Sequence, residues 1–240
     1  MNTKIGALVK TSLVDFPGMV STVIFFKHCN LRCPYCYNVS LVNGIDEDDF
    51  VSLDDLKNHI RKRKNVISGL VISGGEALLS PYTKEVILFA RELGYKIKLD
   101  TNGTLPEKLE ELLKSSELKP DFIAMDIKTS PSKYGLLLNA SKPEDKTDYA
   151  QKIKHSVSLL KEFMNGHYEF RTVLVPTLIK SSDITEIGSL IPKESCWRLA
   201  EFKNENCLEP LYNSLQPYTE KEEMELEKLA KSIIPDAKIR

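Results

Sequence analysis

Short apolar runs rich in β-branched residues alternate with longer amphipathic stretches along the whole chain, and this alternation restricts the fold more than any other feature. Val20 to Lys27 (VSTVIFFK) reads as a first strand. Ser52, an N-cap type followed by Asp54 and Asp55 in the first turn, opens a helix to about Lys64. The spacing then predicts strand Val66–Ser73, helix Thr83–Leu93 stopped by Gly94, and strand Tyr95–Thr101. Helix Pro106–Ser115, with proline in its first turn, and strand Asp121–Lys128 follow. Thr129 to Thr147 carries two prolines and few β-branched residues, and reads as a loop. The pattern resumes with helix Asp148–Met164, strand Tyr168–Val175, helix Ser182–Leu190 and strand Trp197–Phe202, then a last helix from Thr219 to about residue 232.

Strands alternating with helices imply right-handed βαβ units and parallel strands. About six such units are fewer than the eight of a closed barrel. The α/β reading is therefore a partial (β/α)6 TIM-like barrel, with a doubly wound open sheet as the alternative. No internal repeat or low-complexity tract interrupts the 240 residues. They read as one domain over 1–240, with a core of about 18–205 and a C-terminal helix of about 219–232. In parallel α/β folds the functional groups gather at the C-terminal ends of the strands. The cysteines, Ser73-Gly74-Gly75-Glu76, Asp100-Thr101-Asn102-Gly103 and Asp126-Ile127-Lys128 follow strands one to four in that order.

Hydrophobic content of 42% and charged content of 28% are those of a soluble globular protein. A net charge of −1 gives no reason to expect nucleic acid or an anionic membrane as partner. No apolar run approaches the ~18 residues that a bilayer span needs, and the start does not resemble a signal peptide. A cytoplasmic location is the expectation. Three of the five cysteines fall within residues 29–36, spaced C-x3-C-x2-C, and an odd count without an export signal does not read as a disulfide framework. Thiolates are soft ligands suited to iron–sulfur clusters, zinc or copper. A cubane cluster takes four ligands, and ferredoxins supply four cysteines. Only three are local here, so a cubane on Cys29, Cys33 and Cys36 would keep one iron open, a position that the amino and carboxylate groups of S-adenosylmethionine fit as a chelate. The competing reading is a structural zinc site completed by Cys196, Cys207 or His28, although zinc sites usually present two ligand pairs and no second pair is evident. Cys196 and Cys207 otherwise read as ordinary thiols.

Gly74-Gly75 offers a backbone edge that a ligand can approach closely, because glycine lacks a Cβ. Taken alone this is ordinary turn chemistry. Asp100 and Asp126 could equally be loop carboxylates, and Lys128 an exposed amine. Their convergence on adjacent strand ends beside a thiol loop gives them weight. A zwitterionic amino acid bearing a sulfonium and a ribose needs such a set of carboxylates, backbone groups and donors.

Cys29-x3-Cys33-x2-Cys36 with an aromatic at Tyr35 resembles the radical S-adenosylmethionine superfamily, and Gly74-Gly75-Glu76 resembles its glycine-rich motif. Lys10-Thr11-Ser12-Leu13-Val14-Asp15-Phe16-Pro17-Gly18, Leu99–Gly103, Ala124–Lys128 and Phe170-Arg171-Thr172 with Val175-Pro176 resemble the activating enzymes of glycyl radical proteins. Within that family the motifs resemble most the activators of anaerobic ribonucleotide reductase, in their longer form, with those of pyruvate formate-lyase as near relatives. The likeness runs strongly to about Pro176 and thinly beyond. The resemblance implies a radical S-adenosylmethionine core and an oxidoreductase with a [4Fe–4S] cluster. One electron would split S-adenosylmethionine into methionine and a 5′-deoxyadenosyl radical, which takes hydrogen from a glycine of the partner enzyme. A flavodoxin- or ferredoxin-type reductant is implied as well.

Carried over by resemblance, Cys29, Cys33 and Cys36 hold the cluster, with Tyr35 near the adenine and Asn38 among the cofactor-binding residues. Gly74, Gly75 and Glu76 meet the methionine amino group. Asp100, Thr101 and Asp126 form a polar pocket that can also take a monovalent cation. Lys128 reaches the ribose, Arg171 the carboxylate or the partner peptide, and Asp15 the glycine-bearing loop. Asp15 reads equally as a turn aspartate before Phe16-Pro17-Gly18. The chain departs from the family at Ala77, where proline is usual, and at Tyr37, where the activators have histidine. It lacks a histidine after the sixth strand and fits poorly over Ala200–Lys203. These departures bear on the partner and not on cluster binding. Other readings are a radical enzyme acting on a small molecule or another peptide, and a zinc-binding or electron-carrier module.

Overall fold

The computed structural model describes residues 3–138 and 148–240. Packing divides the chain into two compact units: Met1–Asn30 with Ser40–Thr101 and Glu107–Ile123, and Leu31–Val39 with Asn102–Pro106 and Ala124–Arg240.

The first unit opens on strand β1 (Lys4–Ser12), which pairs antiparallel with β2 (Ser21–Phe26). A short helix α1 (Val39–Asn43) follows the cysteine loop, and β3 (Val51–Ser52) pairs antiparallel with β1. Ser52 also caps α2 (Leu53–Arg63). Its hydroxyl accepts the Asp55 N–H at 3.2 Å while the Asp55 carboxylate accepts the Ser52 N–H at 3.1 Å. This reciprocal pair satisfies two donors that a helix start leaves open. Strand β4 (Gly69–Gly74) then runs parallel to β2. It leads to α3 (Thr83–Glu92), and β5 (Lys96–Thr101) runs parallel to β4. Helix α4 (Pro106–Lys114) follows. The strand order here is β3-β1-β2-β4-β5. Ile24, Leu70, Val71, Ile72, Ile97 and Leu99 are buried, so the parallel strands read as near-continuous apolar runs. Burial of each such side chain stabilises by about 1.5–3 kcal/mol before entropy is counted.

Strand β6 (Phe122–Asp126) carries the chain into the second unit, where α5 (Tyr149–Phe163) precedes β7 (Tyr168–Leu174). Helix α6 (Ser181–Leu190), β8 (Cys196–Glu201), α7 (Glu220–Ile233) and β9 (Ala237–Ile239) complete it. Strands β7, β8 and β9 are parallel neighbours. Trp197, wholly buried, donates its ring N–H to Thr172 Oγ1 at 3.1 Å, and Thr172 donates to the Ile127 carbonyl at 3.0 Å. The indole thus has the polar partner that a buried tryptophan requires.

The α/β class with parallel strands agrees with the alternation in the sequence, and β2, β4, β5, β6, β7 and β8 are each followed by a helix. Strands β1, β3 and β9 and helix α1 were not expected. Part of the expected loop 129–147 is a 3-10 helix over Pro131–Leu137, and its residues 139–147 lie outside the described residues. Among the described residues no helix is long and apolar enough to cross a membrane.

Candidate active site

The expected site residues fall into two sets, one in each unit; β4, β5 and β6 present theirs at their C-terminal ends, and Arg171 lies midway along β7.

In the first unit, β4 ends at Gly74, whose φ of +135° lies outside the range comfortable for a side chain. At Gly75 a Cβ would stand 2.2 Å from the His28 carbonyl oxygen and 3.0 Å from the Cys29 Cβ. Only glycine lets the strand end press this closely on the residue that opens the cysteine loop. The Gly75 N–H donates to the Phe26 carbonyl and the Glu76 N–H to the His28 carbonyl, both at 2.9 Å. Glu76 is 1% exposed. Its carboxylate accepts from the Leu78 N–H at 3.0 Å and the Thr101 hydroxyl at 2.9 Å, which ties the end of β4 to the end of β5. Asp100 accepts from the Ser73 hydroxyl at 3.1 Å and from Lys98 Nζ at 2.5 Å. Asp15 accepts the Ser12 hydroxyl at 2.5 Å, and the Ser12 hydroxyl in turn accepts the Val14 and Asp15 N–H groups at 3.2 Å. Asp15 is thus built into its own turn.

In the second unit, Cys33, Tyr35 and Cys36 share a loop in which the Cys36 N–H donates to the Cys33 carbonyl at 3.0 Å. Asn38 follows, half-buried, just ahead of α1. Two other segments hold this loop. The Arg32 N–H donates to the Leu137 carbonyl at 2.7 Å, and the Leu208 and Glu209 N–H groups donate to the Cys36 and Pro34 carbonyls at 2.9 Å. Tyr35 is 7% exposed and packs edge-on to Phe202 with ring centres 6.5 Å apart. Its hydroxyl is buried without a hydrogen-bond partner. Burial pushes the Tyr35 hydroxyl well up, and the Cys33 thiol beside it adds to the rise.

Asp126 accepts from Arg171 Nε at 2.7 Å and from Lys128 Nζ at 2.9 Å. Burial opposes ionisation of Asp126, but the two cations, Arg171 foremost, outweigh it and hold the carboxyl well below its ordinary range. Burial likewise works against charge on Lys128, and Asp126, Tyr35 and Cys33 reverse it, so the amine is held well up. These influences set Cys33, Tyr35, Asp126 and Lys128 in one neighbourhood. The hydroxyl of buried Tyr134 accepts the Lys128 N–H at 3.2 Å.

Lys98 and Tyr134 escaped the sequence reading, and Ser73 was read only as part of the Ser73–Glu76 strand end. For Lys98 a signal existed, a lysine between Ile97 and Leu99 in a buried strand. For Tyr134 there was none, because its role depends on its fold partners. Cys196 lies on β8 and Cys207 on the segment that bonds the cysteine loop. Burial raises both thiols, and for Cys207 the neighbouring Cys36 raises it further. None of the five cysteines is in a disulfide. Among the described residues no three His, Cys, Asp or Glu side chains are gathered as for a single metal ion.

Strand-end polar groups, a three-thiol loop and a glycine edge define a radical enzyme of the S-adenosylmethionine-dependent kind. The chain belongs to the Radical SAM superfamily, whose family model matches residues 23–182. Its relatives are more particular. A protein of Methanocaldococcus jannaschii named for glycyl-radical enzyme activation is 31% identical over 241 residues, 100% of this chain and 97% of that relative. The pyruvate formate-lyase-activating enzyme of Clostridium pasteurianum is 33% identical over 129 residues, 52% of each chain. These relatives support an enzyme of the glycyl-radical activating kind, in agreement with the resemblance drawn from the motifs.

Among solved structures, TYW1 with a lysine-pyruvate adduct bound has a TM-score of 0.58 at 16% identity, over 89% of this chain and 72% of that one. Streptococcus suis SuiB bound to precursor peptide SuiA has a TM-score of 0.59 at 17% identity, over 91% of this chain and 48% of that one. Likeness at such low identity shows the fold, which is that of the radical SAM core with its partial (β/α)6 barrel.

The family implies a [4Fe–4S] cluster and S-adenosylmethionine, and the residues fit both. Three soft donors lie within residues 29–36 of the sequence, and a cubane held by three thiolates would leave its fourth position to a small ligand. The orphaned Tyr35 hydroxyl is a feature that a bound molecule would explain, whereas the glycines at 74 and 75 make room for the Phe26 backbone and the His28 carbonyl.

Proposed function

We propose that the chain is a glycyl radical activase whose partner is an anaerobic ribonucleotide reductase. The observation that carries the activase reading is the match along 97% of the length of a relative named for that activity. Choice of the reductase over pyruvate formate-lyase rests on the resemblance of the motifs up to Pro176. In this reading residues 1–240 are one radical S-adenosylmethionine domain that works in the cytoplasm.

When bound, the cluster supplies one electron, from a flavodoxin- or ferredoxin-type donor, that splits S-adenosylmethionine into methionine and the radical that takes the glycine hydrogen. The chain's own groups bind and orient. Cys29, Cys33 and Cys36 hold the iron. Gly74, Gly75 and Glu76 meet the methionine amino group through the backbone, because the Glu76 carboxylate is occupied by Leu78 and Thr101. Asp100 and Thr101 at the end of β5, and Asp126 at the end of β6, are the polar side chains proposed for the cofactor carboxylate end and a monovalent cation. Asp126 keeps Lys128 charged and directs both Lys128 and Arg171, Lys128 for the ribose and Arg171 for a carboxylate or the partner peptide. Tyr35 and Asn38 line the adenine side, and Asp15 braces the turn that meets the glycine loop.

The test is electron paramagnetic resonance of candidate glycyl enzymes mixed with the reduced, reconstituted protein. A glycine-centred radical in the reductase, and in a short peptide copying its loop, is expected. Asp15→Ala should impair stimulation by that peptide more than uncoupled cleavage. If a small metabolite stimulates turnover and no glycyl loop does, the activase reading fails.

A further inference from the structure

His28, the residue before the first cluster thiol, has φ +72°, in the left-handed region that residues other than glycine seldom adopt, although histidine enters it more readily than most. Its backbone is pinned at both ends. The N–H donates to the Leu41 carbonyl at 2.7 Å, and the carbonyl accepts the Glu76 N–H at 2.9 Å. Its ring lies over Gly44, where a Cβ would stand 2.2 Å from Cε1 and 2.7 Å from Nδ1. On the other side, a Cβ at Gly75 would meet the His28 carbonyl oxygen. Two glycines have therefore given up side chains to this one histidine.

We propose that His28 is a positioning residue. Its left-handed backbone turns the chain out of β2 and, through the carbonyl bond to the Glu76 N–H, fixes Cys29 against the Gly-Gly-Glu strand end. The conformation is locally unfavourable, His28 is exposed, and the backbone bonds to Leu41 and Glu76 hold it; such outliers cluster at functional positions. The inference deepens the cluster and cofactor reading of the site and does not depend on which partner is activated. An extended His28 would withdraw the acceptor of the Glu76 N–H and move the Cys29 thiol away from the edge where the methionine end of the cofactor is placed.

The test compares His28→Gly, which keeps the left-handed backbone, with His28→Val, whose branched Cβ cannot. In the iron-free protein, amide exchange at Glu76 should accelerate about tenfold or more in His28→Val, the loss of one net hydrogen bond, and stay near wild type in His28→Gly. In reconstituted protein, His28→Val should retain iron. It should bind S-adenosylmethionine about tenfold more weakly and lose the change that the cofactor induces in the resonance spectrum of the reduced cluster. His28→Asn, whose side chain tolerates the left-handed region, should behave as His28→Gly, and His28→Ala should shift in the direction of His28→Val. If His28→Val does not fold, the pair His28→Ala and His28→Asn decides. Wild-type exchange at Glu76 together with a wild-type cofactor response in His28→Val or His28→Ala overturns the proposal. If wild-type protein takes up no iron, the cluster reading fails, and exchange at Glu76 still judges His28.

Discussion

Lys98, its side chain 2% exposed, sets its Nζ 2.5 Å from Asp100 Oδ1 at the end of β5. A buried ammonium is tolerable only while its carboxylate stays, and removing one partner of such a pair costs about 3–5 kcal/mol. Asp100→Ala is therefore expected to lower the stability of the ligand-free protein by that order in urea unfolding. Lys98→Met with Asp100→Leu should recover most of the loss. An unfolding midpoint unchanged in Asp100→Ala would show that the pair contributes nothing. Cofactor affinity is better probed with Asp100→Asn, which keeps an acceptor for Lys98.

Asp126 makes a different statement, about pH. Arg171 and Lys128 overcome burial and keep its carboxyl depressed in the folded chain, below the ordinary 3.8 of an unfolded aspartate. A group depressed on folding stabilises fully above the unfolded value and loses that contribution as pH falls through the folded one. Unfolding free energies of wild type and Asp126→Asn, measured from about pH 7 downward, should differ at neutral pH and converge only below about pH 4. A difference that vanishes already near about pH 6 would implicate another group.

Tyr35 carries a buried hydroxyl without a partner, and a buried unsatisfied polar atom costs about 1–3 kcal/mol. Tyr35→Phe should raise the melting temperature of the ligand-free protein. The same substitution should weaken S-adenosylmethionine binding if the hydroxyl meets the cofactor. A lower melting temperature would mean that the hydroxyl is satisfied in solution.

Alanine at Cys29, Cys33 or Cys36 should abolish iron loading and S-adenosylmethionine cleavage, whereas Cys196→Ala and Cys207→Ala should retain both. The demanding case is Cys207, next to the Leu208 N–H that bonds the Cys36 carbonyl. Iron content per chain after anaerobic reconstitution decides it, and loss of iron in Cys207→Ala would end the three-ligand account.

The βα alternation was legible because β4 and β5 are buried on both faces and keep unbroken apolar character. Strand β1 was not, since its outer half, Val9 to Thr11, is exposed and an irregular register between Val9 and Ser12 breaks its period of two. The short β9 has one buried residue, Ala237, and exists because β8 offers it an edge. At the site, the cysteine spacing and the Gly-Gly-Glu turn are local patterns and could be read directly. The grip of Glu76 on Thr101 and of Arg171 on Asp126 joins residues 25 and 45 positions apart. No window along the chain contains either pair, and only folding brings them together.

The backbone bonds from Leu208 and Glu209 to the cysteine loop impose an order on biosynthesis. The Cys36 carbonyl gains its partner only after roughly 170 further residues have been made. At about 5–20 residues per second that is on the order of ten to thirty seconds of translation. An emerging chain displays its three thiols throughout that interval, with the loop unsupported on the Leu208 side. The loop therefore gains these two backbone bonds only late in synthesis, and a ribosome stalled before Leu208 would leave a nascent chain whose cysteine loop lacks them.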